Sequence, residues 1–518
     1  MNNLYTYDEI SKHNNEDSCW IIINGNVYDV TKFCQFHPGG RAAILNVAGK
    51  DASKLFNQFH NVNQVLHKYG KLRIGKVKKE IKEEKEHPIL KLVNLPKDKA
   101  FGDMFPYSDP NWYQRFDSPY YTDSHRKWRK IVRDLVESKL MLNVKKWEDN
   151  YRIPKEVIHD MGKQGLLAGV VGYWPKEFIG MAGPDNYDNF HELILIDEVT
   201  RTGSGGIAWG ICGGLMIGLP PILNFGSNYI KQKVARSCLL GEKVICLAIS
   251  EPWAGSDVAG LQTTAKRVGD YYIVNGLKKW ITNAIFADFF TVAVRTGKKR
   301  GDLSLLLLEK DMPGISVKHM KCQGVLSSGT GFITFDNVKV PVSHLIGREG
   351  DGFKMMMYNF NHERWGLIIM ANRLARVALE DSFKYAMGRK TFGKRLIEHQ
   401  HIRMEISEMA RLVEATHAWL ENVTYQMTRM SKMKAMITLG DTIALLKVQA
   451  TKTLVTVAQK ATLIFGGSGY VRGGKGERVE RIYRDANAFS IPGGAESILN
   501  DFAIRSAQKY ADNLPSKL

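Results

Sequence analysis

The sequence predicts a multidomain fold: a small α+β module, a charged linker, and a large unit running from helices through strands back to helices. Three observations carry this. At 518 residues the chain is too long for one hydrophobic core, so several domains are expected. Residues 76–100, KVKKEIKEEKEHPILKLVNLPKDKA, are dense in charge and poor in aromatics, which is the composition of a solvated linker. Beyond the linker the hydrophobic period switches twice, from helical to strand-like and back.

Residues 1–77 alternate short strands with helical pieces, and CWIIINGNVYDV reads as two strands around an Asn-Gly turn. Residues 78–120 are assigned to the linker. Residues 121–240 have helical periodicity; HRKWRKIVRDLVESKL places apolar positions three and four apart, the mark of an amphipathic helix. Residues 241–345 hold VICLAIS, DYYIVNGLKKWITN, FFTVAV, LSLLLLE and GFITFDNVKV, strand-like runs bounded by Gly, Asn and Asp. Residues 346–518 return to helix. The uncharged stretch Ser204–Tyr229 is long enough to span a bilayer. Its glycines, the Pro220-Pro221 pair and the charged helical flanks favour an interior helix, so no integral membrane protein is expected.

Net charge is +19, from 72 Lys plus Arg against 53 Asp plus Glu. That excess suits an acidic membrane surface or a phosphate-rich substrate. With no arginine-rich tail and no zinc-finger spacing, nucleic acid is not an expected partner. The six cysteines form no C-x-x-C pair, which points to a reducing compartment. MNNLYTYDEI has neither the basic n-region of a secretory signal nor the arginine-rich pattern of a mitochondrial presequence. Ser516-Lys517-Leu518 reads as a peroxisomal address, with the import receptor as partner.

His37 lies in FHPGG and His60 in LFNQFHN, with AGKDAS between them. Their separation excludes one shared helix face, but two helical turns can bring them to opposite sides of a flat ring. Pro-Gly-Gly after His37 favours a tight turn that exposes the imidazole. With YTYDEISKHNNEDSCWIIINGNVYDVTKF before them, these motifs resemble a cytochrome b5 domain over residues 5–77. The resemblance implies haem b held by His37 and His60, with Phe33, Leu55 and Phe56 lining its slot. Two axial protein ligands leave no open iron position, so the implied activity is electron transfer.

In the large unit, AISEPWAGSDVAG (248–260) joins a strand end to a turn of small residues, where exposed amides and hydroxyls can meet carbonyls and phosphates. KKWITN (278–283) offers a Trp and a Thr after a second strand. With RKTFGKRL, EHQ, FGGSGY and RDA in order, residues 121–511 resemble the acyl-CoA dehydrogenase family. The implied fold is a helical domain, a β-barrel domain and a four-helix bundle, assembled as a homotetramer or homodimer, with FAD as cofactor and an acyl-CoA as substrate.

The resemblance carries roles to particular residues. Leu247, Ile249 and Ser250 fall where backbone and hydroxyl groups hold the isoalloxazine. Trp280 packs on the flavin and Thr282 bonds near its N5. Arg389, Thr391, Phe392, His399 and Gln400 match a flavin-binding segment contributed across a subunit interface. Gly466 and Gly467 approach the adenosine diphosphate, although Leu463 replaces a glutamine common nearby. Ser256 contacts the acyl-CoA, Arg364 lies beside its pantetheine arm, and the Gly493 N–H takes the thioester carbonyl. Trp253 stands where glycine is common.

The family's chemistry removes a weakly acidic α-proton, which calls for a desolvated carboxylate. Many members carry it just after the RDA segment; here that segment reads RDANAFSIPGGAESI and the position is Gly493. Some members, the long-chain and isovaleryl types, place it instead on a bundle helix, in a segment similar to NHERW, which puts Glu363 there. The rival for Glu363 alone is a salt-bridged helix-surface glutamate. The expected reaction is oxidation of an acyl-CoA to the trans-2-enoyl-CoA, with electrons passed to the fused haem and on to an acceptor the sequence does not identify. An oxidase delivering electrons to oxygen, and a non-catalytic flavin and haem carrier, stay open.

Overall fold

The computed structural model describes residues 3–60, 62–78, 100–114 and 116–513. The chain divides into two compact units, Met1–Glu84 and Lys85–Leu518. In the first, β1 (Leu4–Tyr5), β2 (Trp20–Ile23), β3 (Asn26–Asp29) and β4 (Arg73–Val77) form a sheet in the order β1-β4-β3-β2. Asn24 and Gly25 join β2 to β3 with φ of 49° and 75°, the left-handed pair that a two-residue hairpin turn requires. Ile21, Ile23 and Tyr28 bury one sheet face with Cys34 and Ile44, while Ile22 and Val27 bury the other with Ile10. Between β3 and β4 run the short helices Arg41–Leu45, Ser53–Phe59 and Val62–Lys68.

The second unit corrects the linker assignment. Residues 100–114 are folded into it, and the charge-rich residues 79–99 lie, with residue 115, outside the described residues. Trp112 and Tyr113 are buried, and with Phe101 they surround the Arg129 guanidinium, whose carbon lies 4.4, 4.5 and 4.1 Å from their ring centroids. Asp109 receives ion pairs from Arg133 at 2.8 Å and Arg373 at 3.3 Å. Arg129 and Arg133, on helix Asp123–Leu135, are both buried, because aromatic faces and carboxylates take the place of water.

The apolar stretch is interior, as its glycines suggest. It runs as Gly205–Ala208, a π turn at Trp209–Gly213, Gly214–Gly218 and Pro220–Phe225, nearly all buried. Several of its glycines touch neighbours directly; a Cβ on Gly218 would sit 2.9 Å from the Cys246 backbone.

Eight strands follow: β5 (Ile245–Ala248), β6 (Thr264–Val268), β7 (Tyr271–Ile281), β8 (Phe289–Arg295), β9 (Leu303–Glu309), β10 (Ile315–His319), β11 (Gly331–Pro341) and β12 (Leu345–Ile346). Their order is β10-β11-β7-β6-β8-β9-β12, with β5 parallel to β8. Alternation assigns the faces: Phe290, Val292, Leu306 and Leu308 make the sheet's own core, while Phe289, Ala293, Leu305 and Leu307 face the helices.

Helix Gly352–Gly388 has 37 residues and is buried without a break from Trp365 to Glu380, as the central member of a bundle must be. Helices Gln400–Thr428, Gly440–Phe465, Glu477–Ser490 and Glu496–Asp512 complete the bundle. Asp485, from the RDA segment, accepts the Val325 N–H at 2.6 Å and the Gly205 N–H at 2.9 Å. One carboxylate thereby ties the last helices to the strand region and to the first helical region.

Candidate active and haem sites

In the first unit the His37 and His60 rings face each other with centroids 6.0 Å apart. A metal held between two imidazole nitrogens at bonds of about 2 Å sets the centroids at roughly this spacing. His37 Nδ1 lies 3.2 Å from the Gly40 carbonyl and His60 Nδ1 3.1 Å from the Phe56 carbonyl, which leaves both Nε2 atoms for iron. Gly39 is needed here, since a Cβ on it would meet His37 Cε1 at 2.9 Å. Phe56 stacks on His60, Phe33 lies edge-on to His37, and Leu55 is half exposed. An apolar slot with two free imidazole nitrogens fits a flat metal-bearing ring.

In the second unit the structure brings Ile249 and Ser250 to the end of β7. The Lys279 N–H donates to the Ser250 carbonyl at 2.9 Å, and Lys278 Nζ to the Ile249 carbonyl, also at 2.9 Å. Leu247 lies on β5 just before them. Beneath runs a pair the sequence reading missed: Lys278 and Glu251, both fully buried, are 2.8 Å apart. Glu251 also accepts the Gln262 and Thr263 amides at 2.6 and 2.9 Å and the Trp253 indole N–H at 2.7 Å. Burial alone would raise the Glu251 pKa, but Lys278 and these donors hold it below the ordinary value. Trp253 therefore has a structural role, fastening the EPWAGSD turn to its own carboxylate. Trp280 is half exposed at φ 62°, an uncommon conformation for so bulky a residue. Among the described residues no protein group bonds the Ser250 or Thr282 hydroxyls, and Ser256 is exposed on its turn. An exposed indole and two unused hydroxyls around one strand edge fit a planar heterocycle.

Two further segments carry the other residues that the resemblance assigns to the flavin. β13 (Lys390–Thr391) and β14 (Lys394–Arg395) form a hairpin with Phe392 at its tip, 95% exposed. Thr391 Oγ1 lies 3.2 Å from His399 Nε2, Arg389 opens the hairpin, and Gln400 begins the next helix. Gly466 and Gly467 follow helix Gly440–Phe465; Gly466 has φ 58°, and a Cβ on either would meet nothing within 4 Å. Leu463 is exposed beside them.

Glu363 lies on helix Gly352–Gly388, one turn before Leu367. Among the described residues it makes no hydrogen bond and no ion pair within 4 Å, which removes the salt-bridged reading. Burial raises its pKa above the ordinary carboxylate value, opposed by the charges of Arg364, Lys447 and His362. Arg364 Nε donates to the Gly493 carbonyl at 2.7 Å, and a Cβ on Gly493 would touch Leu367 Cδ1 at 3.2 Å. Glu363, Arg364 and Gly493 therefore lie in one cluster. Lys447 joins them unforeseen; its only sequence signal is a lysine inside the apolar run ALLKVQA.

An unpaired carboxylate and a strand edge with an exposed indole are features that suit a flavin-dependent oxidoreductase. The acyl-CoA dehydrogenase N-terminal, middle and C-terminal domain models match residues 122–242, 246–338 and 350–507. The cytochrome b5-like heme/steroid binding domain model matches residues 6–78. An acyl-CoA dehydrogenase of Emericella nidulans is 40% identical over 418 residues, 78% of this chain and 95% of that one. The structure of an acyl-CoA dehydrogenase from Geobacillus kaustophilus superposes with a TM-score of 0.69 at 29% identity, covering 76% of this chain and all of that one. One from Bacillus anthracis, complexed with FAD, gives 0.68 at 25% identity, over 77% of this chain and 69% of that one.

The chain belongs to the acyl-CoA dehydrogenase family and carries an N-terminal cytochrome b5-like domain. It is an oxidoreductase with FAD in its larger unit and haem in its smaller one.

Proposed function

We propose that the chain oxidises an acyl-CoA thioester to its trans-2-enoyl-CoA, with Glu363 as the base that removes the α-proton. The observation carrying this is the unpaired, partly buried Glu363 carboxylate beside a Gly493 turn that has no carboxylate of its own. A carboxylate without a hydrogen-bond partner is the stronger base, and burial raises its proton affinity towards that needed for a carbon acid. The Gly493 N–H donates to the thioester carbonyl oxygen and stabilises the enolate that forms as the proton leaves. Bound flavin supplies the hydride acceptor for the β-hydrogen. Leu247, Ile249, Ser250, Trp280 and Thr282 hold its ring at the strand edge, and Gly466 and Gly467 accept its diphosphate arm.

Arg389, Thr391, Phe392, His399 and Gln400 act on the flavin of a second copy, a reading supported by the full exposure of Phe392, which suits a homotetramer or homodimer. Ser256 and Arg364 hold the coenzyme A arm. The tethered module would serve as the electron outlet: His37 and His60 would hold its haem, which would supply the one-electron chemistry that links the flavin to a further acceptor. Import into peroxisomes is carried by Ser516-Lys517-Leu518, which lies outside the described residues; deleting it leaves the enzyme cytosolic, as a fluorescent fusion would report.

The decisive experiment is anaerobic titration with butyryl-, octanoyl-, palmitoyl- and isovaleryl-CoA, following flavin and haem bands separately. Flavin bleaching should precede haem reduction. A flavin that no thioester bleaches would refute the enzyme reading. Reduced flavin persisting beside oxidised haem, with peroxide formed once air is admitted, would refute the haem outlet.

A further inference from the structure

Lys447 lies mid-helix in Gly440–Phe465 and is almost wholly buried. Its ammonium donates to the carbonyls of Ser490 and Gly494, at 3.0 Å each. Arg364 holds the carbonyl between them, that of Gly493. Three carbonyls of one short turn are therefore tied to two cations, while among the described residues the Gly493 N–H makes no hydrogen bond. Gly493 and Gly494 have φ of 69° and 109°, conformations side chains rarely permit, so no Cβ stiffens the turn. Stiffness has to come from outside, and the two cations supply it.

We propose that Lys447 is a positioning residue of the dehydrogenase reaction: it clamps the Ser490–Gly494 turn so that the Gly493 N–H meets the thioester carbonyl, and its charge favours the ionised form of Glu363. This rests on Glu363 being the base. The ammonium faces Arg364 and Glu363 from helix Gly352–Gly388 and Glu496 from the last helix, and Glu496 is itself paired with Lys452 at 2.6 Å. Glu363 faces Arg364, Lys447 and His362. Burial, aided by Arg364, brings the Lys447 pKa down to about 8, so its charge lies within reach of physiological pH. The competing explanation is a plain helix cap, since Ser490 ends helix Glu477–Ser490 and a cation there is favourable. A cap alone would not affect the titration of Glu363.

The test uses the full-length holoenzyme, octanoyl-CoA, and the octanoyl-CoA analogue with sulfur at the β position. That analogue can lose an α-proton but has no β-hydrogen to transfer, so its deprotonation beside the flavin is read from the long-wavelength absorbance it produces. Lys447→Gln keeps a donor for the carbonyls and removes the charge; Lys447→Met removes both. Both variants should move the acid limb of kcat/KM, and of analogue deprotonation, to higher pH. The Met variant should also lower kcat/KM about tenfold, through a turn no longer held. In the wild type, analogue affinity should fall as pH rises through about 8.

An acid limb unmoved in both variants, each with normal FAD content and melting temperature, would overturn the proposal. Should neither variant fold, pH-independent analogue affinity in the wild type would overturn it. Glu363→Gln separates the two readings: analogue deprotonation that survives it refutes the base itself. Silence in that variant beside unshifted Lys447 variants refutes only the role of Lys447.

Discussion

The haem module and the dehydrogenase unit orient their reactive groups over different distances in sequence. Each haem histidine is set by a carbonyl three or four residues away, Gly40 for His37 and Phe56 for His60. In the dehydrogenase unit Arg364 reaches a carbonyl 129 positions away, and Lys447 reaches two that are 43 and 47 away. A locally set group needs only its own turn to fold. A group set across the bundle needs several helices packed correctly at once, so it is more exposed to distant substitutions. The two sites should therefore fail independently.

His37→Ala gives the largest expected effect. It should abolish the six-coordinate haem spectrum while FAD content and the rate of flavin bleaching by octanoyl-CoA stay unchanged. Bleaching slowed along with haem loss would mean that the two units depend on each other. Glu363→Gln is the converse, expected to slow flavin bleaching about a thousandfold with the haem spectrum intact. In the wild type the same rate should fall on the acid side. Glu363 must be ionised to act, and its raised pKa places that loss above the ordinary carboxylate range. Rapid-mixing absorbance across a pH series checks both points.

This contrast also sets what could be read from the sequence. The pairing of His37 with His60 was suggested by the cytochrome b5 resemblance of HPGG and FH, and the structure adds the local geometry: the turn, the Gly39 beside the imidazole, and the helix end. For Glu363 the sequence offered only the family resemblance, which sets a glycine at 493 against a glutamate in NHERW; that the carboxylate has no partner is visible only in the fold. Lys447 and the Lys278–Glu251 pair were not legible, because what defines each is a partner far along the chain and an absence of water. The burial of Arg129 and Arg133 was not legible either, because Phe101, Trp112, Tyr113 and Asp109 arrive from a segment whose neighbourhood reads as linker.

Glu251→Gln tests whether the long-range pair matters as much as its burial implies. It leaves Lys278 buried without a counter-charge, at a cost of about 3 kcal/mol. Denaturant unfolding followed by flavin fluorescence should register that loss, and the haem band should unfold at its wild-type denaturant concentration. A common shift of both signals would show one cooperative unit.

Trp253→Phe is the smallest expected effect and the sharpest check on the EPWAGSD turn. The substitution removes the indole N–H that donates to Glu251 at 2.7 Å and keeps an aromatic ring. Glu251 is not stranded by it, because the Gln262 and Thr263 amides and Lys278 still bind its two oxygens. The loss is therefore that of one hydrogen bond to a charged acceptor on a half-exposed side chain, about 1 kcal/mol. Glu251→Gln, which alters the shared acceptor, should cost several times more, and the double variant little beyond Glu251→Gln alone, since both changes act on one carboxylate. Equal and additive losses in the two single variants would show that Trp253 stabilises the turn through its ring and not through Glu251.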